Sequence, residues 1–358
     1  PLNVVLCWHM HQPFYREGLE GDFHLPWVYL HGLKDYTDMA AHLERHPKIR
    51  AVVDFAPVLL EQIDIYTREL AAWLKDGEAM SDPLLNLLAG VSDIPSDLGA
   101  RRELTEACQR CNPETMVEPF PAFRRLSRLA QAALRQVRDT EDSEAITPAY
   151  LSPEFFIDLL VWYHLAWIGH SFRAHPTVVR LLQKQQGYTA EDRRDLLTIV
   201  YEALAGIIPR YRALGESGQI ELAMTPYAHP IVPLLNDFGN MRHALPDAPA
   251  PEAAGYPGGT DRSRWHMQRG IELFQQHFGI RPRGVWLSEG GVSEDALGLL
   301  DEFEFSWTAS GEGVWKNCCL GSDASNPPEH VSMEELRRNL FRPHRFREGK
   351  TRLFFRDD

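Results

Sequence analysis

No run in this 358-residue chain approaches eighteen consecutive apolar residues, so nothing in it reads as a membrane-spanning helix. The opening Leu2-Asn3-Val4-Val5-Leu6-Cys7 is apolar but short, and it lacks the basic flank of a secretory signal. Cysteine is scarce. The five present, Cys7, Cys108, Cys111, Cys318 and Cys319, are odd in number and lack the spacing of a disulfide framework, which fits a reducing compartment. Cys108-x-x-Cys111 has no second pair at ligand spacing, so it makes a poor zinc site. Positive charge is also short: 37 Lys and Arg face 50 Asp and Glu, a net charge of -13. Binding a polyanion requires clustered Lys and Arg to displace counterions, so a nucleic-acid partner is disfavoured and a neutral or cationic ligand is expected. Repeats and low-complexity segments are absent. These absences together describe a soluble, cytoplasmic protein with no membrane partner and no assigned cofactor.

What is present is a hydrophobic content of 44%, enough for a large core. An apolar stretch over 2–8, a helix over 35–45 halted before Pro47 and a second apolar stretch over 49–55 follow βαβ grammar. Residues 58–215 then turn strongly helical, with apolar residues at three- and four-residue spacing in 123–137 and 155–168, and read as a large helical insertion. A third strand falls at 218–226, and further strands fall around 281–289, 304–308 and 353–356. The stretch 244–260 contains four prolines and three glycines and forms a loop, which its place in the α/β pattern assigns to the active site.

In parallel α/β folds the carboxyl ends of strands face the ligand crevice. Glu289 follows the apolar run Gly284-Val285-Trp286-Leu287 and precedes Gly290-Gly291, four residues before the helix cap at Ser293, so it is not needed as a helix-capping acid. Three other strand ends also carry polar groups: His9 and His11 after the first, Glu221 with Tyr227 and His229 around the third, and Asp357 with Asp358 at the last. Two carboxylates held across a sugar ring break a glycosidic bond, one acting at the anomeric carbon and the other protonating the leaving oxygen. Trp8, Trp27, Tyr227, Trp265, Trp286 and Trp315 flank these points. Flat sugar faces stack on such rings, although most tryptophans serve a core, and Trp265, just after the loop, is the best placed.

Five ordered segments carry a resemblance: Trp8-His9-Met10-His11-Gln12-Pro13-Phe14-Tyr15; Leu25-Pro26-Trp27-Val28-Tyr29-Leu30-His31; Gly218-Gln219-Ile220-Glu221 with Pro226-Tyr227-Ala228-His229-Pro230; Gly284-Val285-Trp286-Leu287-Ser288-Glu289-Gly290; and Phe355-Arg356-Asp357. Together they resemble the signature regions of glycoside hydrolase family 57, over essentially the whole chain. The resemblance implies an α/β fold, a distorted (β/α)7 barrel spanning 1–358 with the helical insertion, and a C-terminal helical domain after 358. It also implies an α-glucan or maltooligosaccharide substrate and retention of configuration. Carried over, Glu289 is the nucleophile, Asp357 the acid/base, His11 a sugar hydroxyl contact and Glu221 a substrate-binding or supporting acid. His9 and His229 follow as weaker substrate contacts, the alternative for His9 being a buried histidine satisfied by a backbone group. A retaining pair should stand about 5 to 5.5 Å apart. Where the branching type commonly has a Glu-Cys pair, Glu289 is followed here by Gly290-Gly291, so an α-amylase or amylopullulanase-like member fits better.

Three other readings compete. A 4-α-glucanotransferase shares the same covalent intermediate. A non-catalytic glucan-binding protein shares the fold. A metal-dependent deacetylase or mannosidase-like barrel could use His9-x-His11, which point to one face of a strand, but Gln12-Pro13 follows where a ligand acid would be expected, and no metal site is assigned.

Overall fold

The computed structural model describes residues 4–139, 151–245, 247, 249, 251–253, 255–320 and 333–357; Asp358 lies outside them. Six strands, β1 (Cys7–Met10), β2 (Ala51–Phe55), β3 (Ile220–Met224), β4 (Gly284–Val285), β5 (Trp307–Gly311) and β6 (Arg352–Arg356), form one sheet in the order β1-β2-β3-β4-β5-β6. Every neighbouring pair is parallel. The sheet is curled as a half-barrel, the α/β class expected from the sequence. Because all strands run the same way, their carboxyl ends gather on one edge.

The strands divide their residues by face. Met10, Val53, Phe55, Leu222 and Met224 are buried against helices, with the Phe55 ring 5.0 Å from that of Tyr211 and 5.3 Å from that of Phe278. The other face alternates with it: Cys7 and His9 on β1, Val52 and Asp54 on β2, Glu221 and Ala223 on β3, aligned as Cys7 beside Val52 beside Glu221 and His9 beside Asp54 beside Ala223. Fully covered parallel strands are usually apolar throughout. This polar inner face is where the sheet departs from a plain core.

Two elements differ from their sequence expectation. The strand around 281–289 contracts to Gly284–Val285, because the chain keeps one more ladder bond, Trp286 N–H to the Met224 carbonyl at 2.9 Å, and then turns through Ser288–Gly290. The strand expected at 304–308 begins at Trp307 instead. Glu304 sits at φ 57° in the turn that closes the helix Glu294–Glu302, its N–H bonded to the Asp301 carbonyl.

The described chain forms two compact units. The first, residues 1–14, 46–62 and 211–358, contains the sheet. The second, residues 15–45 and 63–210, is helical. Its central helix Pro153–Trp167 starts where Ser152 accepts from the Phe155 N–H and Pro153 occupies the first turn. That helix is buried nearly all round, and its polar residues are paired: His164 with the Tyr29 hydroxyl at 2.9 Å, and Asp158 with the N–H groups of Gly187 and Tyr188.

Candidate active site

Three of the polar segments singled out in the sequence meet at the carboxyl edge of the sheet. β1 delivers His9, and His11 follows one residue past its end. The segment after β3, Thr225-Pro226-Tyr227-Ala228-His229, brings His229 back so that its ring lies 5.0 Å from His9 and stacks on His11 at 3.9 Å. Beyond β4, the exposed Glu289 carboxylate reaches His229 electrostatically. Both turn residues adopt the left-handed backbone, His229 at φ 54° and Glu289 at φ 57°. A non-glycine residue there costs roughly 1–2 kcal/mol, so the surrounding packing must hold it. For Glu289 the brace comes from β5. The Ser310 hydroxyl donates to the Gly290 carbonyl at 2.6 Å, and Gly290, itself at φ 64°, lies close against the Ser310 backbone.

His9 is not satisfied by a backbone group. Its Nδ1 bonds to Asp54 Oδ2 at 2.6 Å, and Asp54 is fully buried on β2. Burial pushes the Asp54 carboxyl above its usual range, and the bond to His9 pulls it back. Sequence reasoning missed Asp54. The signal was there as an acid in the middle of the apolar strand Ala51-Val52-Val53-Asp54-Phe55, since buried carboxylates are rare unless paired.

Tyr227 is held on the far side of the same loop. Its hydroxyl donates to Glu61 at 2.6 Å, and Arg269 pairs with the other Glu61 oxygen at 3.0 Å. Trp265, 54% exposed at the start of the helix Gly259–Phe278, meets the Tyr227 ring edge-on at 5.4 Å. Trp265 is thus a ring free to stack on a ligand. Glu61 and Arg269 stand 208 residues apart and had no sequence signal.

The remaining candidates sit elsewhere. Asp357 follows the last residue of β6 at the carboxyl edge and is exposed. Trp286 is half-buried behind the Glu289 turn. Trp27 belongs to the helical unit, packed beside Trp167 and His31. Trp315 is packed against His344 and Phe355. Glu221 is the second residue of β3, toward the amino edge, where its carboxylate accepts from Trp307 Nε1 at 2.7 Å and lines a cleft of about 540 Å³ with Arg50, Arg281 and Arg283.

Desolvation, followed by the like charges of His229 and His9, pushes the His11 imidazole down to about 4. His229 is lowered too, by burial and then by His9, with Glu289 opposing. Both rings are therefore neutral hydrogen-bonding groups at neutral pH. An imidazole lowered by folding from 6.5 to about 4 leaves the unfolded chain binding more protons in that window, so stability is intact above it and is lost as pH falls through it. Replacing His11 with Asn should flatten this acid limb by about 1 kcal/mol between about pH 7 and about pH 5, after allowing for solvent at a half-buried ring. Urea midpoints of both proteins at the two pH values measure it; equal slopes would mean that the ring protonates as freely folded as unfolded.

The sequence profile described as Glycosyl hydrolase family 57 matches residues 5–358. The chain belongs to glycoside hydrolase family 57. Solved structures similar to it include an alpha-amylase from Thermotoga maritima, at 14% identity and a TM-score of 0.45 over 99% of this chain and 45% of that one. A family 57 branching enzyme from Thermococcus kodakaraensis, crystallised with glucose, is 16% identical with a TM-score of 0.45, over 99% of this chain and 47% of the other. A branching enzyme of the same type from Pyrococcus horikoshii gives 14% and 0.43, over 99% and 46%. The chain thus spans about half the length of the structures it matches. No curated protein matches the sequence.

Proposed function

We propose that this family 57 chain carries the catalytic centre of a retaining α-glucan-active glycoside hydrolase of the α-amylase or amylopullulanase-like kind, with Glu289 as nucleophile and Asp357 as acid/base. The observation that carries it is Glu289 itself. A solvent-accessible carboxylate is held in a strained turn at the carboxyl end of a central strand, braced by Ser310, with the His229 imidazole within its electrostatic reach.

In the first step the Glu289 carboxylate attacks the anomeric carbon. The bond from that carbon to the leaving oxygen breaks, and Asp357 in its acid form gives its proton to the departing sugar. In the second step Asp357, now a carboxylate, takes a proton from water as that water displaces Glu289, and the starting configuration returns. His11 and His229 bind sugar hydroxyls in this reading. His9, fixed by Asp54, contributes its remaining ring nitrogen. Trp265 and Tyr227 provide an aromatic wall, whose loop is anchored by Glu61 and Arg269. Glu221 acts as a supporting acid through Trp307 rather than as a direct sugar ligand. A neutral glucan also suits a chain of net charge -13, which gives a polyanion no general attraction.

The test is a product profile from maltoheptaose and pullulan with the full-length protein, read with the anomeric configuration of the first product. Shorter products with retained configuration are expected. Products longer than the substrate would place it with the transferases, inverted configuration would remove Glu289 as nucleophile, and no turnover on either glucan would favour a binding protein.

A further inference from the structure

The reading above uses the imidazoles of His9, His11 and His229 as sugar contacts, but their arrangement has a second chemical capacity. One nitrogen from each ring lies within 4.8 Å of the others. The sequence offered only the His9-x-His11 pair and no nearby acid; the fold supplies a third nitrogen donor from the loop after β3. It also supplies a carboxylate behind the cluster. Asp54 Oδ2 holds His9 Nδ1 at 2.6 Å, which leaves His9 Nε2 as its ligand atom, and a carboxylate bonded to the far nitrogen of a ligating imidazole fixes the ring and raises its basicity. The other Asp54 oxygen is buried without a hydrogen-bond partner, so the carboxylate has one bond to spread its charge, and a cation one imidazole away would compensate it.

We propose that His9, His11 and His229 form a binding site for one borderline divalent transition-metal ion, of the zinc, cobalt, nickel and copper class. Three nitrogen donors select these ions over calcium and magnesium, which take oxygen ligands. At metal–nitrogen distances of roughly 2.0–2.1 Å, tetrahedral ligand atoms stand about 3.3 Å apart, so the cluster must draw together to close. The movement required is small. The His11 and His229 rings, stacked with an interplanar angle of 19°, slide out of register so that both point their nitrogens at one ion. Three protein ligands leave a fourth position open. Resting on the glucan reading, one consequence follows: an ion here occupies groups that the sugar needs, so the metal competes with glucan instead of assisting its cleavage.

Equilibrium dialysis of the full-length, metal-stripped protein against zinc, and its visible spectrum with cobalt, test the site without any activity. One ion per chain is expected, with a tetrahedral-type cobalt spectrum that lacks the near-ultraviolet thiolate band. This last feature separates the site from the free cysteines, Cys108 and Cys111 included. Substituting His229→Ala or His11→Gln should each weaken zinc binding by at least about 100-fold, and Asp54→Asn by about 10- to 100-fold. Circular dichroism of the metal-free variants checks folding, and the near-isosteric His11→Gln keeps the test decisive if His229→Ala misfolds. Absence of stoichiometric zinc, a thiolate band, or binding that survives the folded histidine variants would each overturn the proposal. Inhibition of maltoheptaose cleavage by zinc, relieved by excess substrate, is expected in the active protein. Stoichiometric binding with undiminished cleavage would leave the metal site standing and count against the glucan role of these histidines.

Discussion

Glu289→Gln should lower the chemical step on maltoheptaose by about three to five orders of magnitude while glucan still binds. The change removes the charge of the oxygen proposed to attack but keeps the side chain's length and its place in the turn. The sugar contacts proposed for Trp265, Tyr227 and the imidazoles are untouched, so on that reading the loss falls on kcat and little on KM. Each factor of ten is about 1.4 kcal/mol, which makes the expected loss roughly 4–7 kcal/mol of transition-state stabilisation. Single-turnover rates, with affinity from tryptophan fluorescence or calorimetry, separate the two quantities. Turnover like that of the parent protein ends the assignment. Because Glu289 is exposed at the sheet edge, the variant should fold normally, so a lost rate reads as lost chemistry.

Gly284→Ala should destabilise the fold by about 3 kcal/mol, the upper part of the range for forcing extra carbon into a packed site. Gly284 opens β4, the two-residue strand at the centre of the sheet, and pairs with Trp307 on β5. The indole of Trp307 lies across it: a Cβ added there would sit 2.0 Å from the ring, far inside contact distance, and a rigid ring cannot fold aside as a flexible chain end could. The same indole donates to Glu221 at 2.7 Å, so glycine is what lets a β5 side chain cross β4 and satisfy an acid on β3. Denaturant midpoints measure the cost. Trp307→Phe trims the ring and should recover part of it in the double variant, giving a coupling energy that two independent sites would not show. An unchanged midpoint in Gly284→Ala would mean that the indole does not lie over this strand.

Much of the sheet could be read from the sequence because strand and helix signals are local. Apolar runs over 49–55 and 218–226 became β2 and β3 with their ends trimmed, and the run over 353–356 became β6, which begins one residue earlier at Arg352. Where the reading slipped, a backbone feature with no composition signal intervened. Glu304 and Glu289 both take left-handed turns on residues that seldom adopt them, which displaced β5 and shortened β4.

The site divides in the same way. That Glu289, Asp357, His9, His11 and His229 lie at or just past strand ends is a property of the chain order, and the family was legible from ordered segments. Three relations existed only after folding: the buried Asp54 behind His9, Glu61 and Arg269 around Tyr227, and Trp307 reaching Glu221 across Gly284.

The amino-acid sequence by itself determined the α/β class, the family and which residue types reach the strand ends, because period, turn chemistry and motif order are written along the chain. Only the tertiary structure decided that one histidine on β1, one just past its end and one beyond β3 share a single cluster, and that Glu221 is tied to an indole instead of standing among them. Those are distances between segments far apart in sequence, set by strand register and by which face each side chain takes, and no local pattern carries them.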